Sequence, residues 1–184
     1  MARVQGRYPV VSNQALALAA FAMVAVVALS NYLVQFLIND WLTYAAFTYP
    51  LTFLVTDLVN RRFGPGPARR VVFVGFLVAA ALSLWLAPWQ IAVASVTAFL
   101  TAQLLDVSVF DWLRRGTWWR APLVSSVLAS TVDTFIFFSI AFGGSEFNWI
   151  MLAVGDLAVK LAFTLVLLVP FRVLMSRRDA TALA

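Results

Sequence analysis

Almost everything between residues 14 and 175 falls into apolar runs of membrane-spanning length, separated by short polar or basic breaks. About twenty apolar residues wound as α-helix match the roughly 30 Å hydrocarbon core of a bilayer. The sequence predicts six such helices, over residues 14–38, 41–60, 68–87, 90–113, 121–142 and 147–175. Hydrophobic residues make up 63% of the chain and charged residues 11%, which excludes a water-soluble globular domain. The expected fold class is an all-α integral membrane protein: one six-helix domain over 14–175, a polar leader over 1–13 and a tail over 176–184. Ala28-Leu29-Ser30 has the small-residue look of a signal-peptide cleavage site. The apolar run continues past it, so the first helix reads as retained.

Charge placement predicts orientation. Twelve of the thirteen basic residues lie in the leader, the 61–70 break, the 114–120 break, or the last run's end and tail. The opposite breaks carry none and contain Asp40 and Glu146. The positive-inside rule then puts both termini in the cytoplasm. The same distribution assigns the net charge of +5 to lipid headgroups and topology, not to nucleic acid. Without cysteine or histidine the chain offers no disulfide, no thiolate or imidazole metal site and no Ser–His triad. Trp41, Trp89, Trp118, Trp119 and Trp149 read as interfacial belts.

The segment from Tyr49 to Arg70 organises the rest. It begins as membrane-grade helix with Pro50 near its start, carries Asp57 about one turn inside its apolar end, and closes on a proline–glycine turn between arginines. A carboxylate at the centre of a spanning helix costs roughly 2.5–3.5 kcal/mol on insertion scales, less toward the ends. Such residues face a bundle interior or a wet cavity. Helical spacing aligns Tyr49, Phe53, Thr56 and Asn60 with Asp57 beside them. It also aligns Gln103, Asp106 and Phe110, then Ser126, Ser130, Asp133 and Phe137 with Thr134 alongside. Asn31, Gln35 and Asn39 recur every four residues. Asp156 and Lys160 form an i, i+4 pair in the favourable order. Asp111 is close enough to Arg114 and Arg115 for an interfacial pair.

The bland reading of the hydroxyls is helix packing, and of Asp156–Lys160 a structural ion pair. Asp57, Asp106 and Asp133 lie in apolar helix with no basic residue within one turn, which favours a cavity. These carboxylates with Gln103 and the aromatic rings suit a flat, donor-rich heterocycle or an organic cation. Thr52-x4-Asp57 before Arg61-Arg62 and Thr101-x4-Asp106 before Arg114-Arg115 hint at a three-plus-three inverted repeat, as in many transporters.

The run Tyr49-Pro50-Leu51-Thr52-Phe53-Leu54-Val55-Thr56-Asp57-Leu58-Val59-Asn60-Arg61-Arg62-Phe63-Gly64, followed by Ala68-Arg69-Arg70, resembles the signature of the queuosine precursor transporter family, earlier grouped under a vitamin-uptake label. Gln103-Leu104-Leu105-Asp106, Ser130-Thr131-Val132-Asp133 and Val159-Lys160 extend the resemblance over roughly residues 40–172. The family often carries Gln where this chain has Thr131 or Val132. The resemblance implies a multi-pass protein of the bacterial inner membrane importing the 7-deazaguanines preQ0 and preQ1, without a cofactor and without catalysis. The aligned faces give the expected substrate-binding residues as Tyr49, Phe53, Thr56, Asp57, Asn60, Gln103, Asp106, Phe110, Ser130, Asp133 and Phe137, with Asp156 and Lys160 as an ion-pair or coupling element. Two alternatives stand beside it: the substrate-binding subunit of an energy-coupling-factor importer, and a membrane scaffold whose polar residues only join helices. An intramembrane metalloenzyme built on the aspartates lacks any supporting motif. Alanine-rich faces on the first helix fit either a homodimer or packing within the monomer.

Overall fold

The computed structural model describes residues 8–33, 36–39, 42–144 and 149–181. The elements in chain order are α1 (Asn13–Leu33), β1 (Leu37–Asn39), β2 (Leu42–Thr43), α2 (Ala45–Thr48), α3 (Leu51–Phe63), α4 (Pro65–Leu86), α5 (Trp89–Leu113), α6 (Arg120–Phe142) and α7 (Trp149–Thr181). Among the described residues, α1, α4, α5, α6 and the first 28 residues of α7 are long and apolar enough to cross a membrane. Bulky apolar side chains such as Phe21, Leu77, Leu84, Phe135, Leu165 and Val169 are exposed on their outer faces. That is the surface a bilayer covers.

The expected helix over 41–60 is broken. Proline has no N–H to give, and here the chain uses Pro50 to separate the single turn α2 from α3. At about 1.5 Å per residue, the 13 residues of α3 rise only about 20 Å, short of the hydrocarbon core. The expected first helix stops at Leu33, and the chain returns as a small antiparallel pair in which Leu37 faces Thr43. Asn31 and Asn39 therefore do not share a helical face, and Gln35, like Trp41, Asp40 and Glu146, lies outside the described residues. Asn31 instead donates to the Val27 carbonyl at 3.0 Å within its own helix.

The expected proline–glycine turn after Phe63 shrinks to a single residue. Gly64 takes φ +86°, and Pro65 begins the next helix at a position where its missing donor leaves nothing unsatisfied. The last helix runs past the expected end at 175 to Thr181.

α5 and α6 form the most extensive contact, α4 packs on α1 and α5, α7 on α6, and α3 touches α1, α4, α5, α6 and α7. Small residues allow that closeness: Ala92, Ala94, Ala98, Ala102, Ala121 and Ala129 are all buried. One apolar cluster, with Met23, Val71, Val72, Phe99 and Val107, joins α1, α4 and α5. The arginines gather at one end. There Arg61 donates to the Arg114 carbonyl at 2.7 Å, and Arg114 donates to the Asn60 and Arg61 carbonyls beyond the end of its own helix. Tyr8 donates to Asp111 at 2.7 Å under the Arg114 guanidinium, 4.5 Å from its ring, and Asp111 also pairs with Arg114 at 3.5 Å. The expected Asp111–Arg114 pair is thus present, with Tyr8 added to it.

A Cβ on Gly64 would stand 2.8 Å from the Tyr8 ring, in an extended positive-φ conformation, ψ 179°, that costs an L-residue roughly 1–3 kcal/mol. Gly64→Ala is expected to lower the melting temperature of detergent-solubilised protein. Gly66→Ala, where a Cβ meets nothing within 4 Å, is expected to leave it unchanged.

Candidate functional site

A lysine in the middle of a spanning helix needs acceptors from its neighbours, because lipid offers none. Lys160 on α7 has three N–H donors and finds three partners: Asp133 Oδ2 at 2.8 Å, Asp156 Oδ2 at 2.5 Å and Thr134 Oγ1 at 3.2 Å. Thr134 in turn donates to Asp156 at 2.9 Å, and the Tyr49 hydroxyl donates to Asp133 Oδ1 at 3.0 Å. The ammonium also stands 5.2 Å from the centre of the Tyr49 ring. Asp156 and Lys160 were expected to pair, and they do. Asp133 belongs to the same network, which spacing within α6 gave no means of seeing. This upper group brings one cation against two acids.

Seven residues back along α6, about 10 Å toward the arginine end, lies a second group. Asp57 on α3 and Asp106 on α5 are neighbours, with Ser125 and Ser126 of α6 beside them. Ser126 donates to Asp57 Oδ2 over a long 3.4 Å. Asp57 Oδ1, both oxygens of Asp106 and the Ser125 hydroxyl have no partner at ordinary hydrogen-bond geometry, although all are buried. Unfilled acceptors are costly in a low-dielectric interior.

Other residues on the predicted faces serve the frame. Gln103 donates to Thr52 Oγ1 at 2.8 Å and accepts from Thr56 Oγ1 at 2.6 Å, so its amide joins α3 to α5. Asn60 donates to the Val107 carbonyl at 2.9 Å, and its own Oδ1 is left without a partner. Phe110 packs edge-on to Phe171 with ring centres 6.2 Å apart. Phe137 sits among Phe138 and Phe142, one helical turn beyond Asp133 on α6. Ser130 is buried with a hydroxyl that has no partner.

A small void lies beside the second group, lined by Phe53, Asp57, Ser126, Thr164 and Phe171. It leaves about 10 Å³ for the centre of a water molecule, room for one water and not for a heterocycle. The expected single hollow at one depth is therefore two acid groups at different depths, with the space between the helices closed in this conformation. Thr52, Ser125, Thr164 and Phe171 were not among the expected site residues. Thr52 is four residues before Thr56 and Ser125 precedes Ser126, so helical period reaches the first and adjacency the second. The same period carries the Asp156–Lys160 face on to Thr164, four residues further, and to Phe171, seven beyond that.

Removing the cation from the upper group strands two acids. Lys160→Met is expected to cost about 3–5 kcal/mol, read as a marked loss of melting temperature and of monodisperse yield. Adding Asp133→Asn and Asp156→Asn to it is expected to restore most of that loss.

The family described as "Putative vitamin uptake transporter" matches residues 43–88 and 82–175. The "Queuosine precursor transporter" of Escherichia coli (strain K12) is 34% identical over 79% of this chain and 79% of its own length. The "Probable queuosine precursor transporter" of Haemophilus influenzae (strain ATCC 51907 / DSM 11121 / KW20 / Rd) is 34% identical over 82% of this chain and 81% of its own. That of Bacillus subtilis (strain 168) is 27% identical over 64% and 65%. No solved structure matches the chain.

Proposed function

We propose that this chain, which belongs to the queuosine precursor transporter family, formerly the vitamin uptake transporter family, is a secondary transporter that imports the 7-deazaguanines preQ0 and preQ1 across a bacterial inner membrane. The observation that carries the reading is the buried Asp57–Asp106 pair, three of whose carboxylate oxygens have no hydrogen-bond partner, with Asp57 lining the small void. A 7-deazaguanine presents ring N–H and amino donors that such acceptors take, and the aminomethyl group of preQ1 adds a cation that an aspartate attracts. Tyr49 and Phe53, edge to face with centres 6.2 Å apart, supply aromatic walls between the two acid groups.

In this reading α2 and α3 together make the second of six crossings, and the break at Pro50 lies next to the site, as in transporters built on discontinuous helices. The arginine-rich end faces the cytoplasm by the positive-inside rule. The closed void is one state of an alternating cycle. Phe171 lines it on one side and a larger arginine-bordered chamber on the other, so it separates the acids from the cytoplasmic end. Pro170, immediately before it, leaves α7 without one backbone hydrogen bond and gives the helix a place to bend. Proton coupling through the paired carboxyls completes the mechanism. Uptake into proteoliposomes that is unaffected by collapse of the pH gradient would remove that part.

Thermal unfolding with preQ0, preQ1, guanine and an unrelated vitamin tests the substrate. The 7-deazaguanines are expected to raise the melting temperature by mass action, and Asp57→Asn, Asp106→Asn and Asp133→Asn to abolish the rise. A rise that survives in the Asp57 and Asp106 variants would refute the site. The path is tested separately. Because the chain has no cysteine, Ser126→Cys gives a single thiol. An impermeant maleimide applied from the cytoplasmic side is expected to label it slowly, and at least tenfold faster once Phe171→Ala is added.

A further inference from the structure

The two acid groups share every part but one. In the upper group two carboxylates, Asp133 and Asp156, and a hydroxyl, Thr134, surround an ammonium at 2.8, 2.5 and 3.2 Å. In the lower group α3 and α5 bring two carboxylates, Asp57 and Asp106, and α6 brings a hydroxyl, Ser125, beside both of them. Lys160 is the one lysine in the sequence, and the upper group takes it.

The lower oxygens are enclosed and unspent. Asp106 and Ser125 are fully buried, and Asp57 is 3% exposed. Asp57 Oδ1, Asp106 Oδ1 and Oδ2, and Ser125 Oγ have no hydrogen-bond partner. Lipid offers such atoms nothing. Two carboxylates side by side in a low dielectric repel each other, and a cation between them turns that repulsion into attraction.

Donor type and space together select the cation. Carboxylate and hydroxyl oxygens are ligands for hard ions. Calcium takes about six to eight oxygens, and magnesium keeps several waters in its shell. The void that Asp57 lines, with Ser126 and Thr164 on its wall, measures about 10 Å³ and takes one water-sized body. That excludes a hydrated divalent ion and the carbon frame of an organic cation. Potassium, the larger of the common monovalent ions, needs a wider cavity or more oxygens than sodium. One monovalent ion against two acids also reproduces the charge balance of Lys160 against Asp133 and Asp156.

We propose that Asp57, Asp106 and Ser125 bind a sodium ion in the closed conformation, with Ser126 and one water in the void completing its shell. The ion ties α3, α5 and α6 together as Lys160 ties α7 to α6. It belongs to the substrate-free state of the pair, whichever substrate crosses the membrane.

The test uses the full chain in neutral detergent without substrate, unfolded thermally at fixed pH and ionic strength in sodium, potassium or choline chloride. Sodium is expected to give a saturable rise in melting temperature of at least about 2 °C over choline, and potassium a smaller one. Asp57→Asn and Asp106→Asn are each expected to abolish the sodium increment, and Ser125→Ala to reduce it. Ser108→Ala, which removes an exposed hydroxyl bonded within α5 itself, is expected to keep it. Equal melting in sodium and choline overturns the proposal, and so does an equal rise in sodium and potassium. An increment that Asp57→Asn and Ser125→Ala both leave intact overturns it as well, which covers the case in which Asp106→Asn fails to fold. With no substrate present, each of these outcomes is separate from the success or failure of the transport reading.

Discussion

The constraint under which everything else is arranged is that a charge inside the hydrocarbon layer must find its partner within the protein. Lys160 meets it with Asp133 from one helix and Asp156 from its own, and Tyr49 completes the far side of Asp133. Those contacts fix the rotation and the height of α7 against α6 in a way that apolar packing does not, since lipid tails compete equally for apolar faces. They also tie the Tyr49–Pro50 break to the bundle. The break between α2 and α3 is thus anchored by the Tyr49 hydroxyl on Asp133.

The neutral polar residues make a different kind of joint. Thr52, Thr56 and Gln103 satisfy one another between α3 and α5, and Asn60 reaches across to the Val107 carbonyl. Elsewhere Ser108, Thr131, Ser139 and Thr164 return their hydroxyls to their own helices, a cheap way to carry a polar group in lipid. Among the described residues, the buried side-chain atoms without a partner are three oxygens of Asp57 and Asp106, Asn60 Oδ1 and the hydroxyls of Ser125 and Ser130. On a single stripe of α5, Gln103 is bonded to Thr52 and Thr56, and Asp106, one turn away, has neither oxygen partnered. Of the aromatic residues, Phe110 packs on Phe171, and Phe137 packs against Phe138 and Phe142 one turn beyond Asp133.

The arginine end is built from backbone as much as from charge. Arg114 closes over carbonyls at the end of α3, and Arg61 returns a bond to the end of α5, so the two helix ends cap each other. Tyr8 and Gly64 fit against each other because glycine alone leaves that space and accepts that φ.

Much of this was legible in the amino-acid order. Length and apolarity determined the membrane class. The expected helices over 68–87, 90–113 and 121–142 match α4, α5 and α6 within about three residues, because arginines, glycines and Pro88 mark their ends. The period of 3.6 picked out nearly every buried polar residue of the candidate site. It could not show that Pro50 splits a helix instead of bending it, since a proline in a membrane segment is compatible with both. Nor could it assign partners. Asp133 and Asp106 look alike in sequence, each an acid in an apolar run with no basic residue within two turns. One receives a lysine 27 positions away and the other does not. That outcome depends on the rotation and depth of one helix against another, and spacing within a single helix carries no information about either.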